Sequence, residues 1–205
     1  MLLFREMSEK YEGFEKHELG GTHDFLMGTL PKDLIFDAQH FEEAWELHPE
    51  EYHEIKIHGR LVKTPRWQQA YGADYYYTNN LNKALPMPGL FEPVLQWCQE
   101  TFDQRLNGLL VNWYDGKKGH YIGKHRDSTA GMIEGCPIIV ISYGQTRTFR
   151  MRPYRGKGFT DFDTYEGSVF VIPYETNQAW THEVPTRKGL LDRRISFTFR
   201  AFEEK

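Results

Sequence analysis

Cysteine is scarce in these 205 residues: Cys98 and Cys136 are the only two. That excludes a disulfide framework, and because both lie among apolar neighbours they are expected to be buried free thiols of a reducing compartment. Long apolar runs are missing too. No stretch approaches the roughly 20 residues needed to cross a bilayer, and the opening Met1-Leu2-Leu3-Phe4-Arg5-Glu6 becomes charged too early for a signal sequence. The expectation is a soluble intracellular protein, nuclear in a eukaryote and cytoplasmic in a bacterium, monomeric and without a membrane partner. An excess of positive charge is also lacking. A net charge of −4 does not suit a protein that coats nucleic acid through bulk electrostatics, so any basic surface must be local. Neither repeats, low-complexity tracts nor Pro/Gly/Ser linkers divide the chain, which reads as a single domain over residues 1–205.

What is present is an ordinary globular composition, 40% hydrophobic and 26% charged, with a high aromatic share of 15% that serves either a large core or a base-stacking surface. Up to about residue 108 the pattern is partly helical. Phe41, Ala44, Trp45 and His48 recur at helical spacing over 37–48, and a second helix begins near Pro93 with Val94, Cys98 and Phe102 on one side. Between them, 54–64 alternates around His58-Gly59, a hairpin signal. From Leu109 onward come short strands punctuated by Gly and Pro, at 109–114, 136–143, 148–152, 168–173 and 193–200, the spacing of an all-β sandwich or barrel. The last strand puts Ile195, Phe197 and Phe199 on one face and Arg194, Ser196, Thr198 and Arg200 on the other.

His125-Arg126-Asp127 places an imidazole and a carboxylate two residues apart, where an extended chain projects both to one side. His182, just before the arginine-bearing strand, offers a third ligand. Two histidines and a carboxylate on one face of Fe(II) leave positions for a chelating cosubstrate and dioxygen. In chain order the sequence runs Asn112-Trp113-Tyr114, His125-Arg126-Asp127, His182, then Arg194 and Arg200 separated by five residues. This order resembles the AlkB family of Fe(II)- and 2-oxoglutarate-dependent dioxygenases over about two thirds of the chain. Thr198-Phe199-Arg200 and the stretch Thr176-Asn177 to Trp180, His182 and Pro185 look like its DNA- and RNA-repair branch.

The resemblance implies a mainly β protein with flanking helices: a double-stranded β-helix (jelly roll) catalytic core over about 109–200, preceded by an N-terminal nucleotide-recognition region. It implies Fe(II) held by His125, Asp127 and His182, with 2-oxoglutarate and O2 as cosubstrates. Arg194 would pair with the distal carboxylate of 2-oxoglutarate, Arg200 would assist from the same strand face, and Asn112 and Tyr114 would hydrogen-bond the cosubstrate from the opposite sheet. The implied reaction is oxidative decarboxylation of 2-oxoglutarate to succinate, coupled to hydroxylation of an N-alkyl carbon, release of formaldehyde when the group is methyl, and repair of the base.

The expected partner is DNA or RNA carrying alkylated bases. The segment from Pro65 and Arg66 to Gly72 is similar to the family's recognition element, and Tyr75 and Tyr77 before Thr78 fit its aromatic-x-aromatic motif. These two rings would wall the flipped base, with His125 backing it and Tyr76 turned into the core. His58 stands where a duplex-acting member carries an aromatic finger. Arg147, Arg150, Arg152, Arg155 and Lys157 supply local positive charge, with Arg150 and Arg152 sharing a strand face and Phe149 and Met151 turned inward, a plausible phosphate contact. Ser128 and Thr129 follow the His-x-Asp motif where repair members usually carry an acidic residue. Alternative readings are a 2-oxoglutarate oxygenase acting on a protein or small molecule, and a nucleic-acid-binding module with a vestigial metal pocket.

Overall fold

The computed structural model describes residues 11, 13–57, 59–77 and 80–203. Two largely antiparallel sheets form the body, the larger combining N-terminal and C-terminal strands. The larger has eight strands, in the order β1 (Glu15–Leu19), β2 (His23–Thr29), β14 (Ser168–Ile172), β11 (Ile138–Gly144), β16 (Arg193–Arg200), β9 (Gly108–Asp115), β5 (Trp67–Tyr71) and β8 (Ala84–Leu85). The smaller has four, in the order β10 (Ile122–His125), β15 (Trp180–Val184), β12 (Arg147–Pro153) and β13 (Thr160–Thr164). Two hairpins stand apart, β3 (Glu54–Ile57) with β4 (Arg60–Lys63), and β6 (Tyr75–Tyr77) with β7 (Asn80–Asn82).

Both faces of the larger sheet are covered, which is why its central strands read as unbroken apolar runs. On one face Val111, Trp113, Ile139, Ile141, Val169, Val171, Ile195, Phe197 and Phe199 pack with the helices α1 (Ala38–Glu46) and α2 (Glu92–Thr101), through Ala44, Trp45, Val94 and Cys98. Asp37 caps α1 by accepting from the His40 amide, and the Trp113 indole N–H donates to the Ala44 carbonyl, tying helix to sheet. On the other face, one residue out of phase along each strand, Leu110, Val140, Phe170 and Ile172 meet Phe149, Met151 and Val184 of the smaller sheet. The two sheets therefore clasp a second core, the jelly-roll arrangement expected from the sequence.

Strands of the N-terminal region join the larger sheet. β1 and β2 extend the larger sheet beyond β14, and β5 extends it beyond β9. Cys98 and Cys136 are free and buried, as expected. No helix among the described residues is long and apolar enough to cross a membrane.

Candidate active site

β10 and β15 are hydrogen-bonded neighbours, and their register sets His125 opposite His182. Asp127 follows β10 by two residues. Its segment is fixed by α3 (Tyr174–Ala179), where Asn177 accepts from the Asp127 amide at 3.0 Å and donates to the Asp127 carbonyl at 3.1 Å. The result brings the sequence-derived triad together. The Nε2 atoms of His125 and His182 lie 3.5 and 3.6 Å from Asp127 Oδ1, and one ligand atom from each residue fits within 4.8 Å.

Electrostatics suit this set to a cation. Burial raises the Asp127 carboxyl, but the Arg200 guanidinium and the two imidazoles outweigh it and hold it well below the usual range, so it stays anionic. Burial, with the neighbouring His182, pushes His125 below its ordinary value, so it is a neutral ligand near pH 7. His125 Nδ1 lies 2.9 Å from the Gly123 carbonyl, so Nδ1 carries the proton and Nε2 presents its lone pair toward Asp127. Phe149 stacks on the His182 ring, whose buried Nδ1 has no hydrogen-bond partner among the described residues. Two imidazole nitrogens and one carboxylate oxygen around a common point fit Fe(II) as a facial triad.

The polar face of β16 lines the same cavity with Arg194, Ser196, Thr198 and Arg200, together with Asn112 and Tyr114 of β9. Arg194 is 1% exposed, donates from Nη2 to Ser142 Oγ at 2.7 Å, and finds no hydrogen-bond partner for Nε or Nη1 among the described residues. Burial pulls its guanidinium down to about 10, still cationic near neutrality. A buried arginine with two idle donors could hold a carboxylate of a bound dicarboxylic acid. Asn112 and Tyr114 do not come from the opposite sheet as expected. They sit on β9, the antiparallel neighbour of β16 in the same sheet, with Tyr114 opposite Arg194 and Asn112 opposite Ser196. Arg200 is committed to Asp127, to which it donates at 2.6 and 3.1 Å.

Other expected residues fall on both sides of the line. Arg66, expected in the recognition segment, is buried and lines the cavity. It donates to Asn112 at 2.6 Å and to Gln68 at 3.0 Å, and Gln68 continues to Asn82, which donates to the Tyr75 carbonyl. Tyr75 and Tyr77 stack at 6.3 Å and line the cavity, and Tyr77 meets the His125 ring edge-on at 6.1 Å. Tyr76 is not in the core. It is 47% exposed, whereas Tyr75 is buried at 4%, because in β6 the odd-numbered side faces the cavity. Arg150 and Arg152 lie outside the cavity, Arg150 paired bidentately with Asp161 and Arg152 with Glu183. His58 lies outside the described residues.

Sequence reasoning gave no site role to Asn177, the Gln68–Asn82 relay or Ser142, and counted Arg147 only as local positive charge. Arg147 had a readable signal. It shares the inward parity of Phe149 and Met151 on β12, and it is 2% exposed.

Fold and triad together define a 2-oxoglutarate- and Fe(II)-dependent oxygenase, an oxidoreductase, and the 2OG-Fe(II) oxygenase superfamily model matches residues 23–200. The chain belongs to that superfamily and, within it, to the AlkB type. It is 30% identical over 192 residues to the DNA oxidative demethylase ALKBH2 of Homo sapiens, covering 87% of this chain and 72% of that protein. The ALKBH2 of Mus musculus is 31% identical over 195 residues, 89% of this chain and 80% of that one. Among solved structures OsALKBH1 superposes with a TM-score of 0.57 at 14% identity, covering 91% of this chain and 100% of that chain, a likeness of fold.

Proposed function

We propose that this protein oxidatively removes alkyl groups from N-alkylated bases of DNA or RNA. An N-methyl group, dioxygen and 2-oxoglutarate give the N-hydroxymethyl base, succinate and carbon dioxide; the hydroxymethyl adduct then releases formaldehyde and restores the base N–H. The observation that carries this reading is the continuity of one cavity, lined by His125, Asp127 and His182, by Arg194, and by the stacked pair Tyr75 and Tyr77.

In this assignment His125, Asp127 and His182 hold Fe(II), which supplies the oxidising chemistry when bound together with 2-oxoglutarate and O2. Arg194 takes the distal carboxylate, with Tyr114 beside it and the Asn112 amide NH2 offered to the cosubstrate, its oxygen being occupied by Arg66. Arg200 keeps Asp127 anionic and oriented. Tyr75 and Tyr77 form the wall on which the extracted base stacks, an arrangement that suits any base because every base has a π-face. Tyr77 also borders an adjoining surface cleft with Ser128 and Thr129, which supports entry of the base from that side. Arg150 and Arg152 are assigned to contacts with the polynucleotide outside the cavity, His58 to the gap that an extracted base would leave, and Arg66 to the base side through its link to Gln68, Asn82 and Tyr75. An intracellular setting accords with the two buried thiols. The test is a panel of N-methylated bases in single- and double-stranded DNA and RNA, read by formaldehyde release. Release from at least one nucleic-acid substrate is expected, and release from none of them overturns the assignment.

A further inference from the structure

Three guanidiniums line the cavity, those of Arg66, Arg194 and Arg200, against one carboxylate, that of Asp127. Arg200 is neutralised by Asp127, and Arg194 is assigned to the distal carboxylate of 2-oxoglutarate. Arg66 has no carboxylate partner among the described residues. Its side chain is 5% exposed and is held by amide oxygens instead, donating from Nε to Asn112 at 2.6 Å and from Nη2 to Gln68 at 3.0 Å. Its backbone is fixed as well: the Thr64 hydroxyl donates to the Arg66 carbonyl at 2.9 Å, and the Tyr121 amide to the Pro65 carbonyl at 3.1 Å. The remaining nitrogen, Nη1, makes no hydrogen bond within the described residues, on a side chain that lines the cavity together with Tyr75 and Tyr77.

Acceptors around Arg66 are already engaged. Asn112 Oδ1 and Gln68 Oε1 accept from Arg66, Asn82 Oδ1 accepts from Gln68 Nε2, and Asn82 Nδ2 donates to the Tyr75 carbonyl. The relay leaves N–H donors over, and arginine itself has no acceptor to offer. The adjoining cleft adds no further negative charge: Ser128 and Thr129 are neutral, Arg126 is a cation, and the carboxylate there is again that of Asp127. Alkylated bases divide into two chemical classes on this criterion. Methylation of a ring nitrogen that carries a lone pair, N1 of adenine or N3 of cytosine, gives a cation with an amino group beside the alkylated nitrogen. Methylation of a ring nitrogen that carries a proton, N3 of thymine or uracil or N1 of guanine, gives a neutral base with a carbonyl oxygen beside it. A cationic base would bring its charge and its amino donors to a wall of donors with no free carboxylate, whereas a neutral one brings the acceptor that Arg66 lacks.

We propose that Arg66 reads the edge of the extracted base by donating to a carbonyl oxygen next to the alkylated nitrogen, so that the cavity prefers neutral alkylated bases of the 3-methylthymine, 3-methyluracil and 1-methylguanine type to cationic 1-methyladenine and 3-methylcytosine. The inference rests on the proposed dealkylation and names the class of base it acts on.

The experiment uses single-stranded DNA oligonucleotides of one sequence, each carrying 3-methylthymine, 1-methylguanine, 1-methyladenine or 3-methylcytosine. They are compared by kcat/KM for formaldehyde release with the Fe(II)-loaded protein, and by Kd, from fluorescence anisotropy, with the protein loaded with Mn(II) and 2-oxoglutarate. The neutral pair is expected to be favoured by roughly 10- to 150-fold, the worth of a charge-assisted hydrogen bond. Arg66→Gln should bring that ratio close to one; because each ratio is taken within one protein, a weaker hold on 2-oxoglutarate through Asn112 leaves it unaltered. Thr129→Glu keeps Arg66 and adds a carboxylate to the cleft, and should move the preference toward the cationic pair. If Arg66→Gln does not fold, the parent ratio and Thr129→Glu decide. Equal or better binding and turnover of the cationic pair by the parent, or an unchanged ratio in Arg66→Gln, overturns the inference and leaves the dealkylation standing. Formaldehyde from no methylated base, in DNA or RNA, overturns the dealkylation itself and the inference with it.

Discussion

Arg200 donates two hydrogen bonds to one oxygen of Asp127, from Nη2 at 2.6 Å and Nε at 3.1 Å to Oδ2, and so leaves Oδ1 to face the two imidazoles. Both side chains are buried, at 2% and 6% exposure. The last strand of the larger sheet thus reaches across the cavity to set the orientation and charge of the only anionic member of the triad.

Breaking that pair should damage metal binding and stability together. Removing one partner of a buried ion pair costs about 3–5 kcal/mol, so Arg200→Met is expected to lower the unfolding free energy of the metal-free protein by roughly that amount. With Arg200 gone the Asp127 carboxyl should rise, and Mn(II) affinity should begin to fall at a higher pH than in the parent. Urea unfolding and metal titrations at several pH values check both, and an unaltered pH profile would argue that Arg200 does not control Asp127.

Asp127→Asn separates charge from packing better than Asp127→Ala, because the amide oxygen can still accept from Arg200. Turnover of 2-oxoglutarate is expected to be lost while the circular dichroism spectrum is retained. Parental turnover in this variant would remove Asp127 from the metal site.

Arg194→Ala should weaken 2-oxoglutarate binding by about 2–5 kcal/mol, roughly 30- to several thousand-fold. The two donors left idle on Arg194 are the reason. A dissociation constant within error of the parent's contradicts the role.

The tyrosine row gives a graded test. Tyr77→Ala should reduce turnover of a methylated oligonucleotide by about 5- to 150-fold, the worth of one base stacked on an aromatic ring, with 2-oxoglutarate binding unaffected. Tyr76→Ala, at an exposed position, should have little effect. Tyr75→Phe loses the hydroxyl that accepts from the Ser128 amide at 3.1 Å and should loosen the segment beside Asp127. Equal effects of the Tyr76 and Tyr77 substitutions would place the base elsewhere.

Stability should depend on pH through buried imidazoles. Burial holds His53, His120 and His125 below the ordinary value of 6.5. Below that pH the unfolded chain takes up protons that the fold resists, so their contribution is complete above about pH 6.5 and is lost as the pH falls toward the folded values. The metal-free parent should therefore unfold at lower urea at pH 5.5 than at pH 7.5. His120 Nδ1 accepts from the Asp115 amide and Nε2 lies 3.0 Å from the Tyr52 hydroxyl; His120→Gln should show a shallower loss.

Much of this was legible in the sequence, for physical reasons that differ between elements. The period-two pattern of 193–200 shows which side chains face the cavity, because both faces of β16 are buried and its polar side has nowhere else to go. The His-x-Asp spacing shows two ligands on one side. By contrast β1, Glu-Lys-His-Glu-Leu, is an edge strand with mostly exposed side chains, so it carries no apolar alternation to read. α3 has six residues and no side-chain cap, too short for a helical period. Three consecutive tyrosines show that alternate rings share a face but not which face is buried. Arg147 was hidden in a run of basic residues, where charge drew attention away from strand parity.

The most direct measurement is the stoichiometry of formaldehyde to succinate when the Fe(II)-loaded protein acts on an N-methylated oligonucleotide under limiting 2-oxoglutarate. Oxidative demethylation requires one formaldehyde for each succinate formed in the coupled reaction, in the parent protein and not in Asp127→Asn. Succinate formed without formaldehyde on every methylated oligonucleotide offered would contradict it, and would mean that the cavity oxidises something other than a nucleic-acid base.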